Sequence, residues 1–246
     1  MHELFVSGGT LPEAYHAALA ALHGQNSVLA CSDYGTRQKE ASVTFVSGIP
    51  LGEPMISRLF IGDARALEQY RQEMLDGILD FEVDLGNWEY TYHRRMESQV
   101  PWAIDELRRN PDSRRAVISL RDDTDMESGS PACLQSVHYL IRGGSLHCKV
   151  LFRSNDAAKA AYMNAFALVM LQKRVADALG AAVGTYTHRA NSFHVYERDW
   201  PMFDAYAKRI KDGANLTYNY AGDWDALMED SKAEIAETVR RLREGR

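Results

Sequence analysis

Cys133 stands in the segment SPACLQ, after a Ser-Gly-Ser turn and before an alternating run, so its thiol sits where a loop enters a strand. A thiol in that position becomes a nucleophile when nearby positive charge favours the thiolate. Arg114, Arg115 and Arg153, all at predicted strand ends, can supply the charge. Arg114-Arg115 closes NPDSRR, and Arg153-Ser154 closes HCKVLFR just ahead of a predicted helix; guanidiniums, a hydroxyl and a helix N-terminus together suit a phosphate dianion. His194 and Tyr196, two apart on a strand, face one side and can both hydrogen-bond a sugar hydroxyl. Asn164 interrupts an apolar helix; its amide needs partners and offers a donor and an acceptor to a matching ligand edge. Each feature alone has a plainer counterpart. Unpaired cysteines are more often small buried hydrophobes, strand-end arginines are usually solvated or ion-paired, and a His-x-Tyr pair or a buried Asn is commonly part of the packing.

The elements that must position these side chains follow from periodicity and punctuation. Thr10, Pro12 and Glu13 predict a capping box opening a helix that Gly24 ends. Strands are expected over 27–31 and 42–47, with SDYGTRQKE between them as a polar loop exposing Arg37 and Lys39 to an anion. A helix over 63–76 is capped by Asp63 and stopped by Gly77. Strands over 115–121, 135–142 and 147–153 form an antiparallel sheet, the last two joined through Gly143-Gly144. The stretch 157–179 has no Pro or Gly, so it reads as a long buried helix ended by Gly180. A short strand over 192–196 and a charged C-terminal helix complete an α+β pattern.

At 246 residues, with 46% hydrophobic and 25% charged, the chain is expected to form a single domain over 1–246 with room for a closed pocket. A net charge of −6 opposes nonspecific nucleic-acid binding, which needs a positive field. Three cysteines form no spaced framework, and there is neither an export-type leader nor a long apolar run, so a cytoplasmic protein without membrane contact is expected. Ligand spacings for a metal are lacking, as are the glycine-rich loops of triphosphate and dinucleotide sites.

Taken together, NPDSRR at 110–115, PACLQ at 131–135, RSND at 153–156, Asn164 and FHVY at 193–196 resemble the thymidylate synthase family, which includes the phage deoxycytidylate hydroxymethylases. In that family the nucleophilic cysteine lies twenty residues before the arginine of the RS pair, and the pyrimidine-reading side chain lies eleven after it. Cys133, Arg153 and Asn164 keep both intervals. The resemblance covers about residues 84–200. It implies a mixed or antiparallel sheet with a long buried helix, and a homodimer formed through the sheet face. It also implies that Cys133 adds to C6 of a pyrimidine nucleoside monophosphate, so that C5 attacks the methylene of 5,10-methylenetetrahydrofolate. Arg153, Ser154 and Arg37 would take the phosphate, Arg114 and Arg115 would enter from the second subunit, and His194 and Tyr196 would hold the sugar. Asn164 would hold the base edge; an amide suits uracil, whereas cytosine-specific relatives place an aspartate there. Asp156 is similar to the carboxylate that orients folate and water, and Tyr92 in YTYHRR to the tyrosine that assists proton removal at C5.

The chain also departs from the family. Leu134 stands where common thymidylate synthases follow the nucleophile with a histidine, and Ala66 where a catalytic glutamate is expected, leaving Glu68 as its substitute. A charged C-terminal helix stands in place of the apolar tail that closes the family's site. In a wetter site, water rather than hydride reaches the exocyclic methylene, giving a hydroxymethyl group. RSND and VHYLIR also resemble the phage hydroxymethylases more than the common synthases. The expected activity is 5-hydroxymethylation of a deoxyuridylate-like nucleotide. Thymidylate synthesis, hydroxymethylation of dCMP or CMP, and an inactive nucleotide- or RNA-binding regulator are the competing readings.

Overall fold

The computed structural model describes residues 1–25 and 27–245; Arg246, the end of the charged C-terminal stretch, lies outside them. The N-terminal part comprises β1 (Glu3–Gly8), α1 (Leu11–His23), β2 (Val28–Cys31), β3 (Thr36–Ser47) and β4 (Ile56–Ser57). Next come α2 (Ala64–Asp76), α3 (Phe81–Asp84), α4 (Tyr92–Met96), α5 (Gln99–Arg109), β5 (Val117–Ser119), β6 (Leu134–Arg142) and β7 (Ser145–Asp156). The chain continues through α6 (Ala161–Leu179), β8 (Ala182–Tyr196), α7 (Trp200–Lys211), β9 (Thr217–Tyr218) and α8 (Asp225–Arg243). Thr10 caps α1 as expected: its hydroxyl accepts from the Glu13 amide at 3.4 Å, and the Glu13 carboxylate accepts from the Thr10 amide at 3.0 Å.

The fold is α+β around a seven-stranded mixed sheet of order β1-β3-β8-β7-β6-β5, with β2 antiparallel to the start of β3. β1 with β3 and β7 with β8 are parallel, and the remaining pairs are antiparallel. Parallel neighbours need a long crossover, and α1 and α6 lie in the two connections. Both helices pack on the sheet and touch each other. Between them and the sheet lie Leu11, Tyr15, Leu22, Phe45, Phe152 and Tyr186, all fully buried. Each such side chain contributes roughly 1.5–3 kcal/mol by leaving water. α6 is apolar on most sides because α2 and α5 also pack against it. Gly180 ends it with φ 63°, a left-handed conformation that favours glycine.

Three of the differences from the expected boundaries bear on the site. β3 takes in the polar stretch after Gly35, so Arg37 and Lys39 lie on a strand that pairs with β2 and not in a loop. β8 extends back to Ala182, so the expected short strand is the end of a long one. α6 begins at Ala161 and not at 157, because Asp156 Oδ1 accepts the amides of Ala158 and Lys159 while the Ala157 amide donates to the His194 carbonyl at 2.8 Å. The pair Arg153-Ser154 therefore lies within β7 and not against a helix N-terminus. Among the described residues, no helix is long and apolar enough to cross a membrane.

Candidate active site

β7 and β8 end together, pairing Ser154 with Ser192, Asn155 with Phe193 and Asp156 with His194. This register sets the RSND residues beside His194 and Tyr196. Cys133 arrives from the adjacent strand: β6 starts at Leu134, opposite Phe152, and the Cys133 carbonyl accepts from the Arg153 amide at 2.8 Å. The first turn of α6 adds Asn164, α2 adds Tyr70 and α4 adds Tyr92. Together they line a cavity of about 700 Å³, a size that suits a nucleotide-scale ligand.

The cysteine loop is held from three directions. Arg153 donates from Nε to the Ala132 carbonyl at 3.0 Å and from Nη2 to the Pro131 carbonyl at 2.7 Å. The Leu134 amide donates to Tyr92 Oη at 3.2 Å. The Ala132 amide donates to Asp125, whose carboxylate takes two hydrogen bonds from Arg95 at 2.7 and 2.9 Å. The Arg95 guanidinium and the amides of Asp122 and Ala132 hold the Asp125 carboxyl well below the usual carboxylate range. Removing one partner of so buried a pair strands the other. Arg95→Met is expected to cost about 3 kcal/mol in urea unfolding. Because the folded-state pKa of Asp125 lies below its unfolded value of about 4, its stabilisation is complete above that pH and is lost as pH falls through the folded value. Wild type should therefore lose stability below about pH 4 more steeply than Asp125→Asn; equal slopes would mean that the pair does not brace the loop.

Burial sets the protonation states. It pushes the Cys133 thiol above its ordinary pKa, and Arg153 offsets this only in part. The nearby positive charge expected from the sequence is present but lowers the thiol pKa by less than burial raises it, so the resting thiol is protonated at neutral pH. Burial also raises Tyr92 and Tyr70, and brings Tyr196 up to about 12. It raises Asp156 as well, against the pull of the Lys159 amide and of His194, and lowers His194 against the pull of Asp156. The His194 ring is fixed through Nδ1, 3.3 Å from Ser192 Oγ and 3.5 Å from Ser154 Oγ, with the Tyr196 ring edge-on at 4.8 Å.

Of the residues nominated from the sequence, Cys133, Tyr92, Arg153, Ser154, Asp156, Asn164, His194 and Tyr196 line this cavity. Glu68 does not. Its carboxylate is buried against Arg71 at 2.6 Å, accepts from Gln72 at 2.8 Å, and lines a separate cavity of about 720 Å³. Two residues along a helix are about 200° apart, so when Tyr70 faces the cysteine, Glu68 must face away. Arg37 is exposed and paired with Glu197 through both Nε and Nη2, and Arg114 and Arg115 are exposed; none of the three lines the cavity of its own chain. Sequence reasoning missed Tyr70, whose hydroxyl donates to Asn164 Oδ1, and Asn155. The signal for Tyr70 was a polar tip three residues after Leu67 on the buried side of α2.

The family model described as Thymidylate synthase matches residues 65–233, which contain every residue placed in the cavity except those contributed by β2 and β3 and the short turn between them. A Methanocaldococcus jannaschii protein named "Putative thymidylate synthase" is 37% identical over 152 residues, covering 58% of this chain and 68% of that protein. A Methanosarcina barkeri protein of the same name is 32% identical over 147 residues, covering 58% of this chain and 67% of its own. The thymidylate synthase of Bacillus subtilis subsp. natto is 32% identical over 135 residues, and the match spans only 47% of its length. With a family model covering well over half of its length, and with the thiol, guanidinium and amide meeting in one cavity, this chain belongs to the thymidylate synthase family.

Proposed function

We propose that the Cys133 cavity binds a deoxyuridylate-like pyrimidine nucleoside monophosphate and that the protein transfers a one-carbon unit to its C5, leaving a hydroxymethyl group. The observation that carries this reading is the convergence of Cys133, Arg153, Asn164, His194 and Tyr196 on one cavity. Arg153 and Ser154 grip the phosphate. Cys133 loses its proton to solvent, the thiolate being favoured by the Arg153 charge, and its Sγ adds to C6 while Asn164 holds the base edge on which negative charge builds. Tyr92 Oη, fixed by the Leu134 amide, stands ready to pass on the C5 proton. Asp156 and the tyrosine wall of Tyr70 and Tyr92 fit a folate stacked beside the base. Bound 5,10-methylenetetrahydrofolate supplies the carbon at the formaldehyde oxidation level.

The product depends on what reaches the exocyclic methylene left on C5. Among the described residues, α8 lines two other cavities and not this one, so this helix does not shield the methylene from water. That favours the hydroxymethyl product. Reductive methylation is the second reading, favoured by the names of the relatives. Incubation with dUMP, dCMP or CMP and methylenetetrahydrofolate separates the two. A product heavier by one CH2O without dihydrofolate is expected; dihydrofolate formed in step with product would establish methylation instead. Turnover of none of the three nucleotides would sink both.

The same reading takes residues 1–246 as one domain of a cytoplasmic homodimer. Across the sheet, on the face away from α1 and α6, Phe5, Thr44, Arg189 and Leu151 form a cross-strand row, with Phe5 71% exposed. Such a face is suited to a second copy. Arg114 and Arg115, which do not line the Cys133 cavity of their own chain, would then be available to the partner's phosphate.

A further inference from the structure

His188 lies in the middle of β8, fully buried, with its ring stacked between Phe45 at 4.5 Å and Phe152 at 4.7 Å. Burial brings its pKa down to about 3, so the ring is neutral and carries one N–H. It has two polar partners among the described residues: Tyr186 Oη, 2.9 Å from Nδ1, and Asn155 Oδ1, 2.9 Å from Nε2. Tyr186 is itself fully buried, and its hydroxyl has no other hydrogen-bond partner among the described residues.

These facts fix the direction of every hydrogen in the chain. The Tyr186 proton has one place to go, His188 Nδ1; any other arrangement leaves a phenolic proton unpaired in the core. The ring proton then sits on Nε2 and donates to Asn155 Oδ1. That orients the Asn155 amide with Nδ2 turned away from the core. Nδ2 has no acceptor within the protein among the described residues, yet it is not an enclosed orphan, and Asn155 lines the Cys133 cavity.

We propose that Asn155 is a ligand-binding residue of this cavity, donating from Nδ2 to an oxygen of the nucleotide, and that His188 is the positioning residue that presets the amide. The proposal rests on the nucleotide reading above and assigns two residues that the reading does not use. Asn155→Asp is the sharpest variant, because it keeps an acceptor for His188 Nε2 and replaces the cavity-facing donor with an acceptor oxygen. His188→Phe keeps an aromatic ring in the stack and removes the donor that holds Asn155.

The experiment is calorimetric titration of wild type and both variants with dUMP, thermal melting of each, and ¹⁵N NMR of the His188 ring in wild type. Expected are an Nε2-protonated tautomer, and dUMP binding weakened about tenfold or more in Asn155→Asp with little change in melting temperature. His188→Phe should weaken binding in the same direction; if it fails to fold, Asn155→Asp and the tautomer still decide. Wild type that binds dUMP while Asn155→Asp binds it equally well overturns this proposal alone, as does an Nδ1-protonated ring. Wild type that does not bind dUMP overturns the nucleotide reading and this proposal with it.

Discussion

Cys133→Ala is expected to abolish exchange of the C5 hydrogen of the nucleotide, lowering tritium release from 5-tritiated dUMP by at least about 10⁴-fold, while dUMP affinity changes only a few-fold. The asymmetry follows from the geometry. Arg153, Ser154, Asn164 and His194 are held by their own partners and remain when the thiol is removed. C5 gains carbanion character only while C6 carries a covalent bond; the one other cysteine lining the cavity among the described residues, Cys31, comes from β2 and not from the strand next to Arg153. Because burial holds the resting thiol protonated, the wild-type rate should also rise with pH above neutrality, as a larger fraction of the thiol is ionised. Tritium release by Cys133→Ala within tenfold of wild type would sink the covalent reading. Loss of binding along with rate would instead assign Cys133 to packing.

The parts of the site that could be read from the sequence are those whose spacing the backbone fixes. Cys133 and Arg153 are joined by a hairpin through Gly143 and Gly144, and the ladder from Leu134 opposite Phe152 to Arg142 opposite Ser145, with one register shift between Leu134 and Ser136, sets where they meet. Arg153 to Asn164 spans the end of one strand and the first turn of a helix, again a fixed reach. What stayed hidden depended on rotation or on tertiary partners. Glu68 and Tyr70 are two residues apart, and choosing between them requires the phase of α2, which a mixed pattern of Glu, Gln and Arg leaves ambiguous. The first ten residues of β8 were obscured because Thr185, Thr187 and Arg189 face outward while the buried set contains a glycine and a histidine, so the inward face does not read as apolar. The role proposed for His188 rests on Tyr186 and Asn155 standing on either side of it, which the sequence does not show, since a lone histidine in a strand is most simply packing. Arg37 was expected to be free to meet an anion, and Glu197, 160 residues away, takes it.

The second large effect concerns base choice, and it turns on which end of the Asn164 amide faces the ligand. Tyr70 occupies Oδ1 by donating to it, which leaves Nδ2, a donor, for the base edge. Uracil presents O4, an acceptor, at that edge; cytosine presents an amino group, and two donors facing each other lose a hydrogen bond and leave polar groups unpaired. Asn164→Asp replaces the donor with an oxygen and is expected to move the ratio of kcat/KM for dCMP over dUMP upward by about 1–3 kcal/mol, roughly 5- to 150-fold. Tyr70→Phe should produce a smaller shift in the same direction, because without the hydroxyl the amide can turn over and offer Oδ1. The two substitutions act on one contact, so their effects should fall short of additivity when combined. An unchanged ratio in Asn164→Asp would remove Asn164 from the base edge; an unchanged ratio in Tyr70→Phe alone would leave Asn164 in place and show that something other than the tyrosine holds its amide.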